Sequence, residues 1–188
     1  NFEVIICDDC STDGTVDYIK SKFNGNEKIK LFQNSKNLGL VGNWNETLSH
    51  ANGEYIKWLF QDDWIEQNAL EEFVKYALKG NDLIVSKRNF VLDAAATEYD
   101  KKYYADGVKK LEDHFSDSSG EYCYFSPQKI AILSTDYIAL NFIAEPSLIF
   151  FKRNLMDKVG QYDDKLHQIC DLEYNLRLAS VAGVGVIN

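Results

Sequence analysis

Two pairs of adjacent aspartates, Asp8-Asp9 in "VIICDD" and Asp62-Asp63 in "KWLFQDDWI", each end a short apolar run. Neighbouring carboxylates repel, so a chain that sets two of them at the exit of a buried run needs a cation there. Mg²⁺ or Mn²⁺ suits such a pair, because these hard ions take oxygen ligands and keep positions open for phosphate oxygens. The ion would neutralise a diphosphate in a protein whose own formal charge is −9. It would also stabilise the charge that develops as a diphosphate leaves. Plainer roles compete. Asp8, Asp9 and Asp13 could form turns and cap helices through bonds to backbone amides, and for Asp13, in Asp-Gly-Thr, that is the preferred reading. Asp62 and Asp63 could sit at a helix N-terminus, where the dipole favours them.

The elements that must position these pairs can be read from hydrophobic pattern and turn formers. Phe2–Cys7 is an apolar, β-branched run expected of a strand covered on both faces. A helix is expected from Thr15 to about Phe23, a strand from Ile29 to Gln33, a loop over "NSKNLGLVGN" and a short helix from Trp44 to Ala51. Asn52-Gly53 turns into a strand from Glu54 to Phe60. A helix from about Gln67 to Leu78 follows, stopped by Gly80, and then a strand from Asp82 to Ser86. Strand and helix thus alternate, the pattern of an α/β domain with a mostly parallel sheet and helices on both faces. Ligands bind such sheets at the carboxyl ends of the strands, so the two acidic pairs should share one rim.

The second half is less regular. Residues 93–128 show no clean period, with a short helix expected around Val108–Phe115. Ser147–Phe151 reads as a strand, Arg153–Val159 as a helical turn closed by Gly160, and Asp171–Ala182 as a well-buried helix. Both ends look cut, for the chain opens directly into a strand and stops after the apolar "GVGVIN".

Composition narrows the functions. With 188 residues, 45% of them hydrophobic, there is room for one α/β domain with a full core. The acidic balance excludes a basic nucleic-acid-binding face. No apolar run is long enough to span a bilayer, since Ile130–Phe151 is broken by Asp136, Asn141 and Glu145. Cys7-x-x-Cys10 lacks a second pair or a histidine partner, so the four cysteines read as small apolar thiols in a reducing compartment.

The segments "VIICDDCSTDGT", "NLGLVGNWNETLSHANGEYIKWLFQDDW" and "GQYDDKL…CDLEYNLRLA", in that order and spacing, resemble the family-2 glycosyltransferases with the nucleotide-diphospho-sugar transferase (GT-A) fold. The resemblance implies an inverting transfer from a nucleoside-diphosphate sugar, usually a UDP-sugar, to a hydroxyl acceptor. It makes Asp8 and Asp9 donor-binding residues, Asp8 contacting the base, and sets Asn37 and Gly39 in the loop flanking the nucleotide. Asp62 lies near the ribose or donor sugar, Asp63 is the ligand of Mg²⁺ or Mn²⁺, and Asp171 is the catalytic base. Helix N-capping is the competing role for Asp171. Glu145 is a candidate contact for acceptor or sugar, with a plain loop carboxylate before Pro146 as its alternative, and Trp64 is a candidate rim aromatic. Residues 1–92 are then the nucleotide-sugar half and 93–188 the acceptor half. The expected acceptor is a cell-surface glycan or lipid-linked sugar, in the cytoplasm at the inner face of a membrane, with peripheral membrane association.

The pattern departs from the family in three places. No segment matches the usual first strand and helix, Trp44 stands where many members have Arg, and the acidic motif is reduced to Phe60-Gln61-Asp62-Asp63. Competing readings are a nucleotide-sugar-binding domain without catalysis, a sugar-nucleotide-forming nucleotidyltransferase, and a receiver-type signalling domain. The last needs a lone Asp at the end of a third strand and a Lys at the end of a fifth; the sequence offers Lys87 but no phospho-acceptor Asp in the right place.

Overall fold

The computed structural model describes residues 1–102, 120–137 and 141–187. β1 (Val4–Asp8) and β2 (Ile29–Gln33) pair in parallel, joined through α1 (Thr15–Phe23). α2 (Gly39–His50) leads to β3 (Tyr55–Lys57), α3 (Ala69–Ala77) and β4 (Leu83–Ser86). A short helix α4 (Glu98–Lys102) is followed by β5 (Tyr122–Phe125) and α5 (Pro127–Tyr137). A 3-10 turn at Pro146–Leu148 opens β6 (Ile149–Lys152), and another at Arg153–Leu155 runs into α6 (Met156–Val159). The long helix α7 (Cys170–Ala182) precedes β7 (Val184–Ile187).

The strands form two sheets. β1 and β2 make one, and the other has the order β3-β6-β4-β7-β5. The larger sheet carries helices on both faces because its strands alternate. Ile84 and Phe150 point to Phe73, Tyr76 and Ala77 of α3. Leu83, Val85, Ile149 and Phe151 point the other way, into a core closed by Val41 and Leu48 of α2, Ile130 of α5, and Leu172, Tyr174 and Leu178 of α7.

The α/β class expected from the sequence is the one observed, with two refinements. Only β1/β2 and β4/β7 are parallel, while β3/β6, β4/β6 and β5/β7 are antiparallel, so the larger sheet is mixed rather than mostly parallel. The reason is β6, which returns between β3 and β4 and runs against both. β1 is also not covered on both faces, for Val4 is 38% exposed and its neighbours are half-buried. Its pairing with β2 and packing against α2 leave part of its apolar surface open.

Element positions agree for α1, β2, β4 and α7 to within a residue. β5 and α5 were not foreseen, and the helix expected around Val108–Phe115 lies outside the described residues. Among the described residues no helix is long and apolar enough to cross a membrane.

Gly183 turns the end of α7 into β7 with φ 69, and a Cβ there would lie 2.6 Å from the Phe125 carbonyl oxygen. A backbone atom cannot step aside as a flexible side chain can. Gly183→Ala is expected to cost about 2–4 kcal/mol, through a positive φ and a clash together. Urea unfolding should show a lower midpoint with an unchanged slope.

Candidate active site

The end of β1 is built around two carboxylates with different surroundings. Asp8 is 6% exposed and accepts the Ser11 amide on Oδ2 at 3.1 Å. Between Asp8 and Ser11 the chain turns through Cys10 in the left-handed region at φ 67, its thiol bonded to the Asn34 carbonyl. Asp9 reaches across the fold: it accepts Asn34 Nδ2 at 2.8 Å, the Leu38 amide at 2.8 Å and the Gly39 amide at 2.9 Å. Burial alone would raise its pKa, but the Leu38 amide, the Asn34 side chain and the Gly39 amide outweigh that and hold it below the usual range. Asn37 Oδ1 shares the Gly39 amide at 2.9 Å. Asp9, Asn37 and Gly39 thus come together at the start of α2. Asp13 accepts both the amide and the hydroxyl of Thr15, closing the turn that leads into α1, which is the plain role preferred for it.

This arrangement explains why α2 begins at Gly39 and not near Trp44. Leu38, at the N-cap position, makes no side-chain cap bond, so the exposed amides are satisfied by a carboxylate thirty positions upstream. No local signal announces such a helix start.

Three consecutive residues of α2 then join the parts of the site. Asn43 Nδ2 donates to the Cys7 carbonyl at the end of β1. Trp44 stacks on Phe60 with centroids 5.1 Å apart, and meets Trp58 and the edge of Tyr162. Asn45 exchanges two 2.9 Å bonds with the backbone of Tyr162, in the loop before α7. The exits of β1 and β3 therefore abut the same turn of one helix, as a shared rim requires.

Beyond Phe60 the chain makes a turn, with the Asp63 amide donating to the Phe60 carbonyl at 3.2 Å. Asp62, Asp63 and Trp64 are exposed, Trp64 at 68%. α3 begins only at Ala69 with Asn68 as its N-cap, so the acidic pair is not at a helix N-terminus and the dipole does not explain it. Asp63 Oδ2 accepts the Ser147 hydroxyl. Below lies Lys57, whose ammonium donates to the Trp58 carbonyl at 2.7 Å and to the Ser147 carbonyl, 5.7 Å from the centre of the Phe73 ring. Burial pulls its pKa down to about 8, opposed by the Asp63 charge. A resident cation thus already stands near the pair.

Asp171 lies in the first turn of α7 but makes no capping bond; the helix has none at its N-cap, Ile169. Its Oδ2 accepts Asn141 Nδ2 at 2.8 Å. Glu145 is ion-paired with Arg88, whose guanidinium also covers the Phe90 ring. Arg177 braces the loop before α7 through Glu173 and the carbonyls of Val159 and Gln161. His167 is exposed, and His114 lies outside the described residues.

The donor set fits a hard divalent ion. Asp62 and Asp63 offer exposed carboxylate oxygens, while among the described residues no group of three His, Cys, Asp or Glu stands together to hold a metal ion. Mg²⁺ and Mn²⁺ bind in this way, through one or two carboxylates with the remaining positions filled by water and phosphate. Sequence reasoning missed Lys57, Ser147, Asn141 and Asn34. Lys57 left one faint signal, a charge alternating with Ile56 and Trp58 inside an apolar run.

Two outcomes follow from these environments. Asp9 has a depressed folded pKa, so its stabilisation is present above the unfolded value and is lost as pH falls through the folded one. Asp9→Ala should cost about 1–2 kcal/mol at pH 7, as for a lost helix cap. The gap to the wild type should close below about pH 4, read by urea midpoints at both pH values. Lys57 has the opposite sign. Charging it where it is buried costs stability below about pH 8, and the cost is relieved as pH rises toward the unfolded value of 10.5. The difference in unfolding free energy between wild type and Lys57→Met should shift toward the wild type by up to about 3 kcal/mol between pH 7 and 10.

Comparison with known proteins agrees with this architecture. EpsE of Bacillus subtilis, named as a glycosyltransferase, is 41% identical over 80 residues, 42% of this chain and 29% of its own. The chondroitin synthase of Pasteurella multocida is 35% identical over 83 residues, 44% of this chain and 8% of its own. The matches therefore span less than a third of either relative. Among solved structures, S. aureus TarS 1-349 in complex with UDP-GlcNAc superposes with a TM-score of 0.70 at 19% identity, over 99% of this chain and 47% of that one. The mannosyltransferase PcManGT of Pyrobaculum calidifontis, in complex with GDP-Man and Mn²⁺, gives 0.64 at 18% identity, over 98% of this chain and 47% of that one. Both show the fold. The sequence profile described as glycosyl transferase family 2 matches residues 1–130, well over half of the chain, so this protein, with its GT-A fold, belongs to glycosyl transferase family 2.

Proposed function

We propose that the chain is the catalytic part of an inverting glycosyltransferase that moves a sugar from a nucleoside-diphosphate sugar, a UDP-sugar first, to a hydroxyl acceptor. The observation that carries this is the pairing of Asp63 and Asp171 with opposite ends of one short segment, Asn141 to Ser147. Two carboxylates so linked suit a displacement at one carbon, the leaving diphosphate near one and the attacking hydroxyl near the other. Family membership sets aside the receiver-type reading.

In this reading Asp8 accepts a hydrogen bond from the base, beside the loop of Asn37 and Gly39. Asp9 serves the donor indirectly, by holding that loop. Asp62 faces the ribose or sugar, and Asp63 would hold Mg²⁺ or Mn²⁺. When bound, the ion supplies positive charge to the diphosphate as it departs. Asp171 takes the proton of the acceptor hydroxyl as its oxygen bonds to C1 and the bond from C1 to the diphosphate oxygen breaks. Asn141 occupies one oxygen of Asp171 and leaves the other for that proton. Glu145, held by Arg88, and the exposed Trp64 are the acceptor-side contacts.

Residues 1–92 form the nucleotide-sugar half and 93–188 the acceptor half. The acceptor is a cell-surface glycan or lipid-linked sugar, and the work is done at the cytoplasmic face of a membrane with which the protein associates peripherally. The relative named chondroitin synthase supports a polysaccharide product. The two structural neighbours, in complex with UDP-GlcNAc and with GDP-Man and Mn²⁺, support a nucleotide-sugar donor and the ion.

Calorimetric titration of UDP with Mn²⁺ should show binding that EDTA abolishes and that Asp63→Ala loses by at least tenfold. Asp171→Asn should bind UDP as the wild type does and transfer no sugar. Failure of UDP, GDP and dTDP alike to bind a folded protein would sink the reading.

A further inference from the structure

The segment from Asn141 to Ser147 holds a carboxylate at each end. Asn141 Nδ2 bonds Asp171, and the Ser147 hydroxyl bonds Asp63. Between them Phe142, Ile143, Ala144 and Pro146 are buried. Before the 3-10 turn at Pro146 this stretch is neither helix nor strand, so no ladder fixes its backbone. Side chains do so instead. Asn175, 1% exposed in the middle of α7, donates to the Ala144 carbonyl at 2.8 Å, and Lys57 donates to the Ser147 carbonyl.

Asn175 is an unfavourable choice for a helix interior and an expensive group to bury unless its bond is made. A leucine would satisfy the surrounding apolar core, so its one evident task is to hold the segment. Six peptide steps separate Asn141 from Ser147, which limits their Cα atoms to roughly 20 Å even fully extended. The spacing of the two carboxylates is therefore limited by a stretch of chain whose strand pairing begins only at Ile149.

We propose that Asn141–Ser147 is a brace that sets the separation of Asp63 from Asp171, and that Asn175 is a buried positioning residue acting on Asp63 through Ser147. The proposal rests on the transferase reading above. Transfer at one carbon is sensitive to such spacing, since a displacement of about 1 Å in reacting groups costs on the order of a hundredfold in rate.

The test is titration of UDP in Mn²⁺ into the 188-residue chain, with Ser147→Ala, Asn175→Leu, their double variant and Asn141→Ala. Ser147→Ala should weaken binding about tenfold, the loss of a hydrogen bond to a charged group. Asn175→Leu should weaken it at least about threefold, and the double variant should bind no more than about twofold weaker than Ser147→Ala, because the second change acts through the first. Asn141→Ala, at the Asp171 end, should stay within about twofold of the wild type. Ser147→Ala or Asn175→Leu binding as the wild type does, or fully additive losses, would overturn the brace.

Should Asn175→Leu not fold, hydrogen exchange on the unaltered chain decides. Amides of residues 142–145, 147 and 148 are expected to slow when UDP and Mn²⁺ are added, and unchanged exchange there overturns the proposal. A folded wild type that binds no UDP, GDP or dTDP overturns the nucleotide reading and the brace with it, an outcome distinct from a variant that binds normally.

Discussion

The carboxylate of Asp9 at the start of α2 is the interaction on which the site depends. It satisfies two amides that the helix itself leaves open, and so fixes where α2 begins. That start sets the phase of the helix, and the phase determines that Asn43, Trp44 and Asn45 face the end of β1, the aromatic floor below Phe60 and the loop before α7. Were the chain shifted by one residue along that helix, the side chains would rotate by about 100° and none of the three contacts could be kept. One ionised side chain thus helps to align two sheets that share no backbone ladder.

Charge is distributed across this frame in a graded way. Asp9 is surrounded by donors and stays ionised; Asp63 stands exposed with one hydroxyl on it; Lys57 waits underneath with its affinity for a proton reduced. A pair of repelling carboxylates is therefore tolerated because the turn is solvated and because a buried ammonium lies beneath it. Trp44, Trp58, Phe60 and Tyr162 stack into one cluster within the larger core, while the Lys57 ammonium lies over Phe73 of α3.

How much of this the sequence disclosed depends on the range of the interaction responsible. Helix α1 and strand β2 are written in local pattern and turn formers, and they fall where expected. Helix α7 was legible because Leu172, Leu176 and Ala179 repeat at helical spacing. The early start of α2 was hidden because its cap comes from Asp9. The direction of β6 was hidden because nothing in "SLIFF" tells a parallel strand from an antiparallel one. Among the site residues, the acidic pairs could be found from type and adjacency, and Asp171 from resemblance. Ser147, Asn141 and Asn175 could not, since single hydroxyls and amides carry no pattern and their meaning lies in what they touch.

The division of the strands into two sheets has an energetic consequence. β1 and β2 are joined to the remainder by α2, by the Glu3 carboxylate on the Asn52 and Gly53 amides, and by little regular backbone pairing. Regions anchored in this way form cooperative units that open below the global free energy of unfolding. Asp8 and Asp9 ride on that weaker unit, whereas Asp63 and Asp171 belong to the stronger one. A molecule touching both would tie the two units together, so its affinity and the local stability of β1 are a single thermodynamic quantity seen from two sides.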